Sequence, residues 1–233
     1  MNRSMLVLFV VLAGISAAFA DVCPSSTLDN YLGAGFSCGI NDTTYFDFSY
    51  AYSSNPGGFG IPADAVSVSP ISTSGNPGFL FSAPWSVSNN SGVLAQNSLL
   101  GYTVTVNQGG APITDLTLAM VGFDAIGTGE ITINETYCLG GILPLCSGGT
   151  EGLLSLNYTS SGGSSSKTVN FSGVDEISVQ EGILLTSGTN GQAAVSGVYN
   201  QFSQGQVPEP GSMVLFGTGV LGLVGVLRRK LGF

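Results

Sequence analysis

Through the middle of this chain, hydrophobic residues recur at every second position. Leu100, Tyr102, Val104 and Val106 alternate with Gly101, Thr103 and Thr105. Successive side chains of a strand point to opposite faces, so this spacing predicts a strand with one buried face. Leu116, Leu118 and Met120 follow the same rule after the turn residues Gln108-Gly109-Gly110. Tyr45–Tyr52 alternates as well, with Phe46, Phe48, Tyr50 and Tyr52 expected on one face. Ile131 and Ile133, Leu154 and Leu156, Val169 and Phe171, and Ile177 and Val179 extend the pattern.

Between these runs stand breakers such as Asn55-Pro56-Gly57-Gly58 and Asn76-Pro77-Gly78. Pro84 beside Trp85 suggests a kinked strand at a sheet edge. Roughly ten closely spaced strands with no helical periodicity predict an all-β fold. The expectation is one antiparallel β-sandwich or jelly-roll-like domain over 21–205, centred on Tyr102–Val106 and Leu116–Val121.

The two ends of the chain read differently. Arg3, the apolar Met5–Ile15 and the small-residue site Ala18-Phe19-Ala20 make 1–20 a secretory signal peptide, with the mature chain starting at Asp21. At the other end, 206–233 holds Val207-Pro208-Glu209-Pro210-Gly211, an uncharged stretch through Leu227, and Arg228-Arg229-Lys230. Prolines at 208 and 210 bar a helix interior and predict an extended collar. The apolar stretch (212–227) would span roughly 22–24 Å as a helix, short of the ~30 Å bilayer core. The basic cluster marks a stop-transfer end on the cytoplasmic side.

This ordered tail resembles the PEP-CTERM sorting signal of Gram-negative bacteria. Pro208, Glu209, Pro210 and Gly211 match its recognition motif, and Arg228, Arg229 and Lys230 its basic end. The resemblance covers only the tail. It implies recognition and removal by a membrane-embedded exosortase, and a link to exopolysaccharide production. The implied route uses the Sec translocon and signal peptidase, then transient retention in the inner membrane through the C-terminal helix. Release to the cell surface or outside follows. An ordinary permanent single-span anchor is the alternative.

Once both ends are removed, Lys167 is the one basic residue left, and of the 14 acidic residues only Glu209 is lost. A net charge of about −12 excludes nucleic acid as a partner, since nothing neutralises phosphate. Cys23, Cys38, Cys138 and Cys146 all lie in the exported part, where an oxidising compartment favours pairing. Three pairings are open, and sequence proximity points to Cys23–Cys38 and Cys138–Cys146. Their loops would contribute about 3 and 2.5 kcal/mol on a chain-entropy view. Zinc does not fit those spacings, and the chain has no histidine.

The absence of histidine also removes triads and Cys–His dyads. Paired carboxylates could hydrolyse glycosides, but Asp175 and Glu176 are adjacent and Glu181 reads as lying near a turn, so all three read as solvated loop acids. No catalytic residue, metal ligand or cofactor is assigned, and no enzymatic activity is expected. Calcium stays open without named ligands, because no Asp-x-Asp-x-Asp-Gly loop occurs. Trp85, Phe59 and Tyr199 could stack on sugar rings if they lie together on the surface, with core packing as the alternative. The Thr103-x-Thr105 pair could face ice or simply water. Sequons at Asn41, Asn89, Asn134, Asn157 and Asn170 fit chance in so Asn-, Ser- and Thr-rich a chain. The functional expectation is a non-enzymatic exopolysaccharide-matrix component, with a carbohydrate-binding module as the alternative.

Overall fold

The computed structural model describes residues 21–55, 59–73, 75–89 and 93–205. Both terminal segments with their signals, 1–20 and 206–233, lie outside the described residues. The strands form two sheets. The first has six strands, in spatial order β1 (Ser26–Thr27), β4 (Ser67–Thr73), β5 (Asn76–Asn89), β13 (Gly191–Gln204), β7 (Ile113–Gly127) and β11 (Ser166–Val174). The second has seven, in order β10 (Gly162–Gly163), β9 (Thr150–Thr159), β8 (Glu130–Leu139), β12 (Glu176–Thr186), β6 (Ala95–Val106), β3 (Thr43–Ser54) and β2 (Ser37–Ile40). All the strand pairings are antiparallel. The inner faces of both sheets share one core, as expected of a β-sandwich.

Aromatic rings fill one part of that core. Phe79 from the six-stranded sheet meets Tyr45 edge-on at 4.8 Å and Tyr102 at 5.7 Å from the seven-stranded sheet. Tyr102 stacks on Phe48 at 5.5 Å and meets Phe202 at 6.3 Å. Burying such rings contributes area, and edge-to-face geometry adds about 0.5–1.5 kcal/mol per pair.

Three details depart from the alternation pattern. First, β6 and β7 do not form a central pair; they lie in opposite sheets. The link between them is pinned by Asp42, whose carboxylate accepts from Ala111 N (3.0 Å) and whose carbonyl accepts from Asn107 N (2.7 Å). It therefore crosses between layers instead of closing a hairpin. Second, the register of β3 against β6 shifts between Phe46 and Ser49, and Asp47 takes φ 55°. That bulge resets the alternation, so Tyr45 and Phe48 reach the aromatic core from opposite phases. Third, β5 is an interior strand, not an edge. Pro84 is tolerated because the register with β13 shifts there: Trp85 faces Val195 while Ser82 faces Gly197. Pro84 falls in that bulge, where no ladder donor is needed.

The disulfides join Cys23 to Cys38 and Cys138 to Cys146, the sequence-neighbour pairing. The second one staples the segment after β8 over the outer face of the seven-stranded sheet, where Leu143 N donates to Ser178 Oγ.

Candidate functional site

Several residues singled out in the sequence do not come together. Trp85 is 1% exposed, and its indole N–H donates to Ser98 Oγ at 3.0 Å inside the sandwich. Phe59 is 85% exposed in a loop, and its carbonyl accepts from Gln96 Nε2. Tyr199 lies on the outer face of the six-stranded sheet, opposite Ala119 and Leu80. These three rings make no common platform, so stacking centred on Trp85 is ruled out. Thr103 is also buried, in the stretch of sheet crossed by Ile142 and Leu143, which breaks any flat Thr-x-Thr face.

The acidic residues give the larger correction. Glu181 is not near a turn: it sits in the middle of β12, 1% exposed. Directly opposite it on β8 is Glu135, fully buried. Side chains directly opposite on one face of an antiparallel pair have Cβ atoms about 4.5–5.5 Å apart. The two carboxyl groups therefore lie side by side in the core. The next positions across the sheet are Leu154 beside Glu135 and Leu100 beside Glu181. Above and below along the strands are Ile133, Ile183, Tyr137 and Val179, all buried.

From the facing sheet, fully buried Asn200 on β13 completes the cluster, its Nδ2 donating to Glu135 Oε1 at 2.7 Å. Glu135 Oε2, both Glu181 carboxyl oxygens, Asn200 Oδ1 and the hydroxyl of neighbouring Tyr102 are buried and make no hydrogen bond. Burial pushes the Glu135 carboxyl well above its usual range, and the neighbouring Glu181 raises it further. Burial likewise lifts Glu181 from 4.5 to about 8, with the Asn200 amide acting in the opposite direction. The Tyr102 hydroxyl is raised too, first by burial and then by the charge of Glu135. A signal for this pair was present in the sequence. Glu135 occupies the inward phase of Ile131-x-Ile133-x-Glu135-x-Tyr137, and Glu181 that of Ile177-x-Val179-x-Glu181-x-Ile183.

At the end of the sandwich where β13 finishes, two clefts open to solvent. One, about 540 Å³, is lined by Cys23, Ile40, Asn41, Pro70, Ser72 and Asn107 among others. The other, about 430 Å³, includes Asn41, Asp42, Ser72, Gln204 and Gly205. Gly205 N donates to Pro112 O at 2.8 Å, so the chain leaves towards the tail from this end. Asp21, the first described residue, is exposed, and its carbonyl accepts from Gly39 N at 2.7 Å.

Residues 206–230, directly after that exit, match the PEP-CTERM protein-sorting motif. The chain carries an exosortase sorting signal. That makes it an exported protein, and its two disulfides suit an extracellular setting. The PEP-CTERM match takes in Pro208–Gly211 and Arg228–Lys230 in sequence, though all of them, with Ala18 and Ala20, lie outside the described residues. No curated protein matches this chain. Among solved structures, a carbohydrate-binding module, TmCBM61, in complex with β-1,4-galactotriose overlaps 65% of this chain and 86% of its own, at 12% identity and TM-score 0.30. A Glycosylation Associate Protein (Gap123) complex from Streptococcus agalactiae overlaps 70% of this chain at 10% identity and TM-score 0.27; the overlap spans 26% of that chain. Superpositions this poor identify no shared site.

Proposed function

We propose that this PEP-CTERM protein is a non-enzymatic component of an extracellular polysaccharide matrix, holding polymer on the outer face of its seven-stranded sheet. The observation that carries this reading is the chemistry of that face. One row across five strands reads Ser53, Asn97, Leu184, Thr132 and Asn157, and the next reads Ala51, Leu99, Gly182, Asn134 and Ser155. Neither row carries a charge; amides and hydroxyls make up four of the five side chains in the first and two of the five positions in the second. Such groups hydrogen-bond hydrated sugars in register with a strand spacing of about 4.8 Å. The facing carboxyl groups of Glu135 and Glu181 are sealed from solvent and cannot meet a polymer chain.

Processing fits the same reading. The signal peptide ends at Ala20, the apolar stretch holds the chain briefly in the inner membrane, and exosortase cuts near Pro208–Pro210. Replacing Pro208, Glu209 and Pro210 with alanine should leave a membrane-held form of full tail length. A released protein whose mass runs past Leu227 contradicts removal of the tail.

A narrower reading, a carbohydrate-binding module with one defined site, is favoured by the 540 Å³ cleft, where Asn41, Asn107 and Ser72 border Ile40 and Pro70. A glycan array separates the two: a module gives a few saturable hits, whereas a matrix component gives broad retention on long polymers. The deciding pair of measurements is biofilm formation by a deletion strain and sugar turnover by the purified protein. Normal biofilm together with turnover of a defined sugar overturns the proposal.

A further inference from the structure

The sandwich interior holds a group of atoms that packing alone does not explain. Glu135 Oε2, Glu181 Oε1 and Oε2 and Asn200 Oδ1 are buried oxygens with no donor in hydrogen-bonding geometry. The Asn200 amide lies near enough to Glu181 to favour its charged form, but its Nδ2 bond goes to Glu135. Leaving even one buried polar group unmatched costs about 1–3 kcal/mol, and more when it is charged. The neighbouring hydroxyl of Tyr102 is itself unpartnered and so reaches none of these oxygens. No basic side chain can answer them: Lys167, the only one among the described residues, is exposed on β11. The amide of Asn200 is already oriented by its Nδ2 bond to Glu135, which leaves its oxygen free beside the carboxyl pair.

From this arrangement we propose that Glu135, Glu181 and Asn200, with the Tyr102 hydroxyl beside them, bind one calcium ion between the two sheets. Every available donor atom is oxygen, which selects a hard cation. Two carboxylates match one divalent charge. Calcium takes 6–8 oxygens at roughly 2.3–2.6 Å in adaptable geometry, whereas magnesium demands a stricter octahedron and keeps its waters. Among the described residues no three His, Cys, Asp or Glu side chains gather, so the amide and phenol oxygens are needed to complete the shell. This site is distinct from any loop site of the kind common in exported sandwiches. With Glu135 and Glu181 sealed, the ion enters as the sheets close and is retained until they part.

The test uses the released protein, purified without chelator and dialysed. Elemental analysis should find about one calcium per chain. Unfolding in EDTA and refolding without calcium should lower Tm by at least about 5 °C, and refolding with CaCl2 should restore it. E135Q and E181Q, checked for folding by circular dichroism, should each hold less than a tenth of that calcium and lose the calcium-dependent shift. Purified protein free of calcium, with the same Tm in EDTA and CaCl2, overturns the proposal and leaves a shared proton as the occupant of the pair. Another ion at full occupancy overturns the calcium assignment, and so do variants that keep the calcium-dependent shift.

Discussion

Asn134 and Glu135 are neighbours in sequence, as are Glu181 and Gly182, yet each pair is divided between the two faces of one sheet. Glu135 and Glu181 face inward, with Tyr102 and Tyr45, into a space closed to water. Asn134 and Gly182 face outward, in a row with Leu99 and Ser155. The inner face holds the one facing carboxyl pair seen among the described residues and closes it off from solvent. The outer face carries Glu130, Glu151 and Glu176 towards its ends, but between them its two central rows are uncharged and lie open to a polymer. The contrast teaches that a strand's period of two sends adjacent residues to opposite faces, so reactive residue types in the sequence say little about activity until their phase is known.

Truncation on the inner face should have the largest effect. Tyr102→Ala removes a buried ring packed against Tyr45, Phe48, Phe79, Phe81 and Phe202. It should cost about 3–5 kcal/mol by denaturant unfolding. Tyr102→Phe keeps the ring and deletes only an unpartnered hydroxyl, so in EDTA it should be neutral or mildly stabilising. A loss as large as that of the alanine variant would show that the hydroxyl has a partner and that the inner face is not under-satisfied.

Next in size is the Cys23–Cys38 bridge, which ties the segment before β1 to edge strand β2. Replacing both cysteines by serine should cost about 3 kcal/mol, read from the same unfolding curves. A smaller, pH-dependent effect comes from the carboxyl pair. In chelator, Glu181 titrates near 4.5 unfolded and about 8 folded, so its neutral form is favoured by the fold. Its contribution is fully present below pH 4.5, declines as pH rises through this window, and is gone above about 8. Glu135 shifts in the same direction. Tm in EDTA should therefore fall between pH 4.5 and 8, and Glu181→Gln should flatten the slope. A Tm that rises across this window contradicts a buried, proton-holding pair.

Much of this fold was legible in the sequence because period two is a local signal. Leu100–Val106, Ile131–Ile133 and Leu154–Leu156 all became strands with the predicted inward residues buried, Val106 only partly. The cysteine pairing was legible from short loops, and the sorting tail from a linear motif. The partition of strands between sheets was not, because it depends on long-range contacts such as Asp42 holding the link at Ala111. Nor was the phase of Phe46, because a single residue at positive φ, Asp47, resets it. The carboxyl pair was missed for a different reason. Each glutamate lay visibly on the inward phase of its own strand, but only the β8–β12 register, with the two residues more than forty positions apart, places them opposite each other.

The smallest effect on stability should accompany the largest effect on function, on the outer face. Leu184→Lys and Asn134→Lys each place a charge where the two uncharged rows run, and they should change stability by no more than about 0.5 kcal/mol. The most direct test of the account is co-sedimentation of the released protein with exopolysaccharide from the same cells, comparing the native protein with the Leu184→Lys/Asn134→Lys double variant. The account predicts retention at least tenfold weaker for the variant, with Tm unchanged. Equal retention by the two proteins would contradict it, because polymer would then be held somewhere other than the outer face of this sheet.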